Sequence, residues 1–556
     1  MFRNTWKKSL SLLLTLAVAV TLIAFGGTSA LADLKEGSLD LDDYNDQWVF
    51  ITGREGSVPD CYALLDVVYC ENPADASVQQ MDIYVPAAYM DAESNGDRTY
   101  TCKVKTDAVF EREDGVSYTA ATAPIIYQNT IDGYRQGDSF NLTNNRKGSG
   151  VGQYYSYLES GYVLVSIGTR GINSAVDGTA PACVVDLKAG VRFLKANAGK
   201  FPGNTDKIIA TGASAGGAST AILGASGNSP LYDPYLEEIG AADAADDIYC
   251  AMCFCPISDL DIADAALEWL HSSELGMDLT KMMSGAGGPG GGSGEAGDNN
   301  GGSGEAGGPG GGSDGHDDEN GPPPYVDFDE FEVAAHDALL DAYADYLTDL
   351  GIDPQEYYDG FLAVINDSVQ YYADNHVEDI DAFAEENPAL ERDGDSFSVG
   401  TVEDFVVEYM SRMKPPLAYD SINYTNSESQ LYNYQHFSDI DAAVIGALSE
   451  EYSEAADAKE AYETQITDEQ RAIVSLMSSI GFLSGENEGT VAPYWRFRNG
   501  MADGDVGAVN SWTMTELLKK NFDIDADFAL IWGVGHAAAD YGYEDVQSYV
   551  DSICLD

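Results

Sequence analysis

The chain has 556 residues, of which 93 are Asp or Glu and 28 are Lys or Arg, giving a formal charge of −65 at pH 7. So acidic a surface repels nucleic acid and anionic membrane, which argues against both as partners; the charge is spread along the chain, so no catalytic role is assigned to it. Eight cysteines in a chain of this length do not make a disulfide scaffold, and their pairing is not readable.

In chain order, Arg3, Lys7 and Lys8 precede the apolar run LSLLLTLAVAVTLIAF, and Ala30-Leu31-Ala32 supplies a small-residue cleavage site. The pattern predicts a secretory signal peptide over 1–32, with export of a mature chain starting near Asp33. The apolar run is short for a membrane anchor, and no second hydrophobic segment follows. Over 33–261, strand-like MDIYVPAAY, APIIYQN and YVLVSIGTRG lead to helix-like CVVDLKAGVRFLKANAGKF and then to strand-like KIIAT. This alternation predicts a mainly parallel sheet with helices on both faces. CAMCFCPI, Cys250 to Ile257, has the look of a metal clip, but it is apolar and has no histidine nearby. It reads as a buried strand with incidental thiols, and no metal is assigned.

From 262 to 488 the text becomes helical, acidic and rich in tyrosine, as in FDEFEVAAHDALLDAYADYL and TVEDFVVEYMSRM. Within it, 284–324 contains GGPGGGS twice, at Gly287 to Ser293 and Gly307 to Ser313. Such composition cannot bury a core and predicts a disordered tether. Strand-like APYWRF and DFALIWG return over 489–556, so the helical region is an insertion in the sheet domain, where a lid belongs.

The chemistry centres on Gly212-Ala213-Ser214-Ala215-Gly216, between KIIAT and the helix-like AGGASTAIL. This is the G-x-S-x-G nucleophile elbow: the serine sits on a tight strand-to-helix turn, and its flanking glycines let strand and helix pass. A serine hydroxyl needs a base, and the base needs an acid to fix its tautomer. Of six histidines, His316 lies in the tether and His271, His336, His376 and His436 in the helical insertion, where solvated or local bonding is the default. His536 alone follows a strand of the sheet domain. Asp503 and Asp505, in the turn after APYWRF, both suit the acid, and the order Ser, Asp, His is that of α/β-hydrolases. Asp503 is assigned to the triad, because Asp505 has another use described below. The oxyanion donors expected are the N–H of Ala215 at the helix start and Thr130 in the loop after PIIYQN.

With these residues in place the chain resembles the bacterial tannases, esterases of gallate on an α/β-hydrolase fold with a large, mostly helical lid between nucleophile and acid. The resemblance rests on TGASAGGASTAILGASGNSPLYDPYLEEIGAADAADDIY, CPISDLDIADAALEWLH, MKPPLAYDSINYTNSE, FRNGMADGDVG and WGVGHAAADY, and covers most of the mature chain. It implies that Lys414, Glu428 and Asp505 contact the three phenolic hydroxyls of a galloyl ring. Carboxylates that accept from phenolic O–H, and an ammonium that donates to phenolic oxygen, make chemical sense of the set. Ala213 and Ala537 stand where fungal tannases and related feruloyl esterases join their Ser and His segments by a disulfide, which excludes that branch. The Gly-rich tether also departs from the bacterial pattern. The expected protein is a secreted serine esterase for small phenolic esters, working through an acyl-enzyme without cofactor. A feruloyl or other phenolic-acid esterase with the same triad is the alternative, and a non-catalytic polyphenol binder a second. Oligomeric state is not readable.

Overall fold

The computed structural model describes residues 37–52, 60–142, 152–278, 325–410, 412–419, 422, 427–432, 437–536, 540–541 and 543–555. The expected signal peptide (1–32) and tether (284–324) lie outside these residues.

Eleven strands form one sheet. They are β1 (Trp48–Ile51), β2 (Cys61–Val68), β3 (Gln80–Pro86), β4 (Met90–Ser94), β5 (Thr99–Val104), β6 (Ile125–Asn129), β7 (Val163–Ile167), β8 (Ile208–Ala213), β9 (Cys250–Phe254), β10 (Tyr494–Gly500) and β11 (Asp527–Ile531). Their spatial order is β11-β10-β9-β8-β6-β7-β3-β2-β1-β5-β4. The six strands from β7 to β11 run parallel. The five N-terminal strands pair antiparallel, β3 joining the parallel half through β7. β6 and β7 are buried at every position, as expected of parallel strands with both faces covered. The antiparallel half has no crossover helices, and of its strands only β3, largely within MDIYVPAAY, shows in the strand-helix rhythm of the sequence.

Two helices of the first half matter for the site: α1 (Ala182–Ala196), and α2 (Ala215–Ala225), which packs directly on β8 and β9. Between β9 and β10 the chain is chiefly helical, including α3 (Ala263–Leu270), α4 (Glu330–Asp349), α5 (Pro354–His376) and α6 (Val402–Tyr409). Their starts are set by local chemistry. Asp329 and Glu332 form a reciprocal capping box on α4, Asp353 caps α5 ahead of Pro354, and Thr401 caps α6. Two short antiparallel pairs, Gly276–Asp278 with Tyr325–Asp327 and Glu391–Asp393 with Ser396–Ser398, interrupt the helices.

This inserted region packs as one body with the sheet: residues from Gly37 onward form a single compact unit. Helix α7 (Val509–Phe522), which joins β10 to β11, is the fastening point. The hydroxyls of Tyr343 on α4 and Tyr357 on α5 lie 2.9 and 2.8 Å from Thr513 Oγ1, and Trp512 Nε1 donates to Tyr357 O at 3.1 Å. All eight cysteines are buried and unpaired.

Candidate active site

The three candidate catalytic residues come from the carboxyl ends of three parallel strands, where an open α/β sheet offers a crevice. Ser214 links β8 to α2 with φ +55° and ψ −126°, a conformation that costs a non-glycine residue about 1–3 kcal/mol. The neighbours fix it there. Ser214 N–H donates to Phe254 O at the end of β9 (3.0 Å), and Ser214 O accepts from Ala218 N (2.9 Å) and Ile257 N (3.3 Å). A Cβ on Gly212 would lie 2.5 Å from both Asn129 Nδ2 and Gly216 O, and one on Gly216 would lie 2.4 Å from Asn129 Oδ1. Only glycine fits at either place.

His536, in the loop after β11, places Nε2 3.0 Å from Ser214 Oγ and Nδ1 3.0 Å from Asp503 Oδ2. Asp503 is fully buried, and its other oxygen, Oδ1, accepts the N–H groups of Asp505 and Val506, each at 3.1 Å. The carboxylate is thus held from one side while it holds the imidazole with the other. Burial opposes a charged ring at His536, but the bond to Asp503 and the Cys255 sulfur more than offset it and raise the pKa above the ordinary histidine range.

Ala215 opens α2, with its N–H at the positive end of the helix. Thr130 follows β6. Its hydroxyl is engaged, donating to Asp138 O at 2.7 Å.

Lys414 and Asp505 are brought together, Nζ to Oδ1 at 2.9 Å, with their side chains 23% and 27% exposed. Asp505 Oδ2 is 3.9 Å from His536 Nε2, on the side of the ring that faces the serine. Burial pushes the Asp505 carboxyl up, but the Lys414 ammonium and then His536 outweigh it and hold the group below its ordinary value. Lys414 also lies over the Tyr419 ring, 4.4 Å from its centroid. Glu428 lies on the short helix Ser427–Gln430. Its charge is felt at the buried phenols Tyr419 and Tyr134, both driven well upward chiefly by burial. The neighbouring Ser427 hydroxyl is 3.1 Å from where a Cβ on Gly133 would be. The helix that carries Glu428 therefore packs against the loop after β6.

Comparisons with known proteins agree with this arrangement. A family model described as BD-FAE matches residues 134–277, which include the elbow. The crystal structure of tannase from Lactobacillus plantarum shares a TM-score of 0.67 and 25% identity, covering 93% of this chain and 100% of that one. A tannin acyl hydrolase solved in complex with ethyl gallate gives a TM-score of 0.67 and 25% identity over 92% of this chain and 98% of its own. A Mycobacterium tuberculosis protein named "Probable carboxylic ester hydrolase LipM" is 29% identical over 117 residues, spanning 21% of this chain and 25% of that protein. The chain is an ester hydrolase of the α/β-hydrolase fold. Its structural neighbours are bacterial tannases.

Two residues of the esterase site escaped sequence reasoning. Asn129, buried at the end of β6, donates from Nδ2 toward Thr211 O (3.2 Å), Gly216 O (3.2 Å) and Thr220 Oγ1 (3.0 Å) and accepts Ile131 N–H on Oδ1 (3.3 Å). It ties the oxyanion loop to the elbow. Cys255, one residue beyond β9, is buried, and its sulfur lies within 4.8 Å of the facing atoms of Asp503 and His536. Cys, Asp and His together are a possible donor set for a metal, but both ring nitrogens of His536 already face partners in Asp503 and Ser214. Both missed residues stand at carboxyl ends of parallel strands, and that position was the available signal. Of the insertion histidines, His271 makes the local bond expected of it, to Glu274 three residues on, whereas His336 departs from the default and is buried against Glu268, 68 residues away.

Proposed function

We propose that the esterase cleaves galloyl-type phenolic esters outside the cell, with Ser214 as the nucleophile. The observation that carries the reading is the Lys414–Asp505 pair, which stands beside His536 on the side facing Ser214. In this reading Ser214 Oγ attacks the ester carbonyl while His536 Nε2 takes its proton, and Asp503 holds Nδ1–H and stabilises the imidazolium. The N–H groups of Ala215 and Thr130 receive the oxyanion at the start of α2. The imidazolium then protonates the departing alcohol, and water, activated by the same ring, releases the acid from the serine ester.

A galloyl ring presents three adjacent hydroxyls. Asp505 and Glu428 accept from them and Lys414 donates to phenolic oxygen, each bond being charge-assisted. An ester lacking those hydroxyls would desolvate Glu428 and the Lys414–Asp505 pair without giving them new partners, and sites built for hydroxyls reject such analogues by about 10⁴ to 10⁵. The bound ethyl gallate of the neighbouring tannin acyl hydrolase supports the same substrate class. The test is kcat/KM for methyl gallate, methyl protocatechuate, methyl ferulate, methyl benzoate and an acetyl ester. Methyl gallate should far exceed methyl benzoate; equal rates would make this a general carboxylesterase, and a preference for ferulate would move it to the hydroxycinnamoyl class. Export rests on the basic and apolar N-terminal sequence, and is checked by N-terminal sequencing of protein recovered outside the producing cell.

A further inference from the structure

The segment 412–419 carries Lys414 yet has no regular secondary structure, so something other than main-chain ladders must hold it. Helix α3 supplies two side chains for the purpose. Asp264 and Glu268 are four residues apart, hence on one face, and both are fully buried. Asp264 receives the N–H of Tyr419 on its two oxygens, at 3.1 and 3.3 Å. Glu268 binds the Arg412 guanidinium through Nη2, and its second oxygen lies 2.5 Å from His336 Nδ1 on α4. The two carboxylates thus grip the two ends of the segment.

From those ends the grip reaches the substrate-facing pair. Arg412 Nε donates to Lys414 O at 2.8 Å, while its guanidinium plane rests over Phe328. Tyr419 Oη donates to Asp505 O at 2.6 Å, and its ring lies under the Lys414 ammonium. One helix therefore fixes the main chain of Lys414 and, through Tyr419, the main chain of Asp505. Arg412, Glu268 and His336 are at most 1% exposed. Apolar side chains of like volume would fill such a space without the desolvation cost of buried charge, so a network of this kind serves to specify one geometry.

We propose that Asp264 and Glu268, acting through Tyr419 and Arg412, are positioning residues that set the selectivity of the esterase for ring hydroxyls without touching the substrate. The inference rests on the galloyl reading of Lys414 and Asp505. Its test compares Glu268→Gln, Arg412→Lys and Tyr419→Phe with Lys414→Met, using kcat and KM on methyl gallate, methyl benzoate and 4-nitrophenyl acetate. The expected result is a gallate-to-benzoate ratio lowered at least tenfold in the three positioning variants, mostly through KM on gallate, with the acetyl ester changed less than threefold. Tyr419→Phe keeps the ring and Arg412→Lys keeps the charge, so they decide the matter if Glu268→Gln does not fold. An unchanged ratio in them, with a collapsed ratio in Lys414→Met, would overturn the positioning role and leave the galloyl reading intact. An unchanged ratio in Lys414→Met would overturn both. Equal losses on all three esters would reduce the network to structural support, which also overturns the proposal.

Discussion

Asp503→Asn is the substitution whose outcome the site geometry constrains most. The new amide has two orientations. If its oxygen takes the place of Oδ1, it keeps the N–H groups of Asp505 and Val506, and the NH₂ group faces His536 Nδ1. If it turns over, the NH₂ meets two N–H donors and both bonds are lost. Leaving buried donors unsatisfied costs about 1–3 kcal/mol each, so the first orientation wins. An NH₂ at Nδ1 makes that nitrogen an acceptor and moves the ring proton to Nε2, 3.0 Å from Ser214 Oγ. The ring then cannot take the serine proton. A wrong tautomer of this kind lowers kcat by about 10⁴, or about 5.5 kcal/mol of barrier. Asp505→Asn leaves the tautomer untouched and should spare a simple acetyl ester far more than it spares methyl gallate. Both variants would be measured on 4-nitrophenyl acetate and methyl gallate, with circular dichroism to establish that they are folded. The assignment of the acid fails if folded Asp503→Asn turns over the acetyl ester within tenfold of the parent, or if Asp505→Asn is the more damaged of the two on that substrate.

Three further outcomes follow from the same site. Ser214→Ala should lose about 10⁴ to 10⁶ in kcat and all labelling by a fluorophosphonate, with little change in thermal midpoint; near-normal turnover would remove Ser214 from the mechanism. The pH profile tests His536: only the neutral ring is a base, and its pKa is raised, so the ascending limb of kcat/KM should fall above the ordinary histidine value of about 6.5. Cys255→Ala removes one of the two partners that favour the charged ring and should bring that limb to lower pH; a limb that stays in place would mean the sulfur is electrostatically idle.

Local pattern made part of this legible in advance and left the rest out of reach. The elbow needs small residues at fixed offsets from Ser214, and strands β6 to β8 each open on three apolar residues, so both stand out within a few residues of text. Most of the antiparallel strands do not, because Met90–Ser94 is exposed after its first residue, and Thr99–Val104 alternates only short or half-buried side chains with a single buried position, Cys102. Contacts that depend on distant chain segments were equally hidden. His336 meets Glu268 across 68 residues and Arg412 meets Glu268 across 144. His336 did leave a trace: it falls on the buried stripe of α4 with Phe331, Ala335, Leu339 and Tyr343, a poor place for a solvated imidazole. Asn129 and Cys255 looked like the last letters of buried strands, and only the fold shows that those ends converge on one crevice.

If Ser214 and His536 act as proposed, their spacing bears on when the protein becomes dangerous to esters around it. His536 lies 322 residues after the serine, beyond the entire inserted region and three strands of the sheet. A ribosome adding about 5–20 residues each second needs some 16 to 64 seconds to cover that stretch. Throughout that interval the emerging polypeptide holds a serine with no base to awaken it. On that reading, chains cut short before His536 would be inert, and reactivity is withheld until that residue has been added.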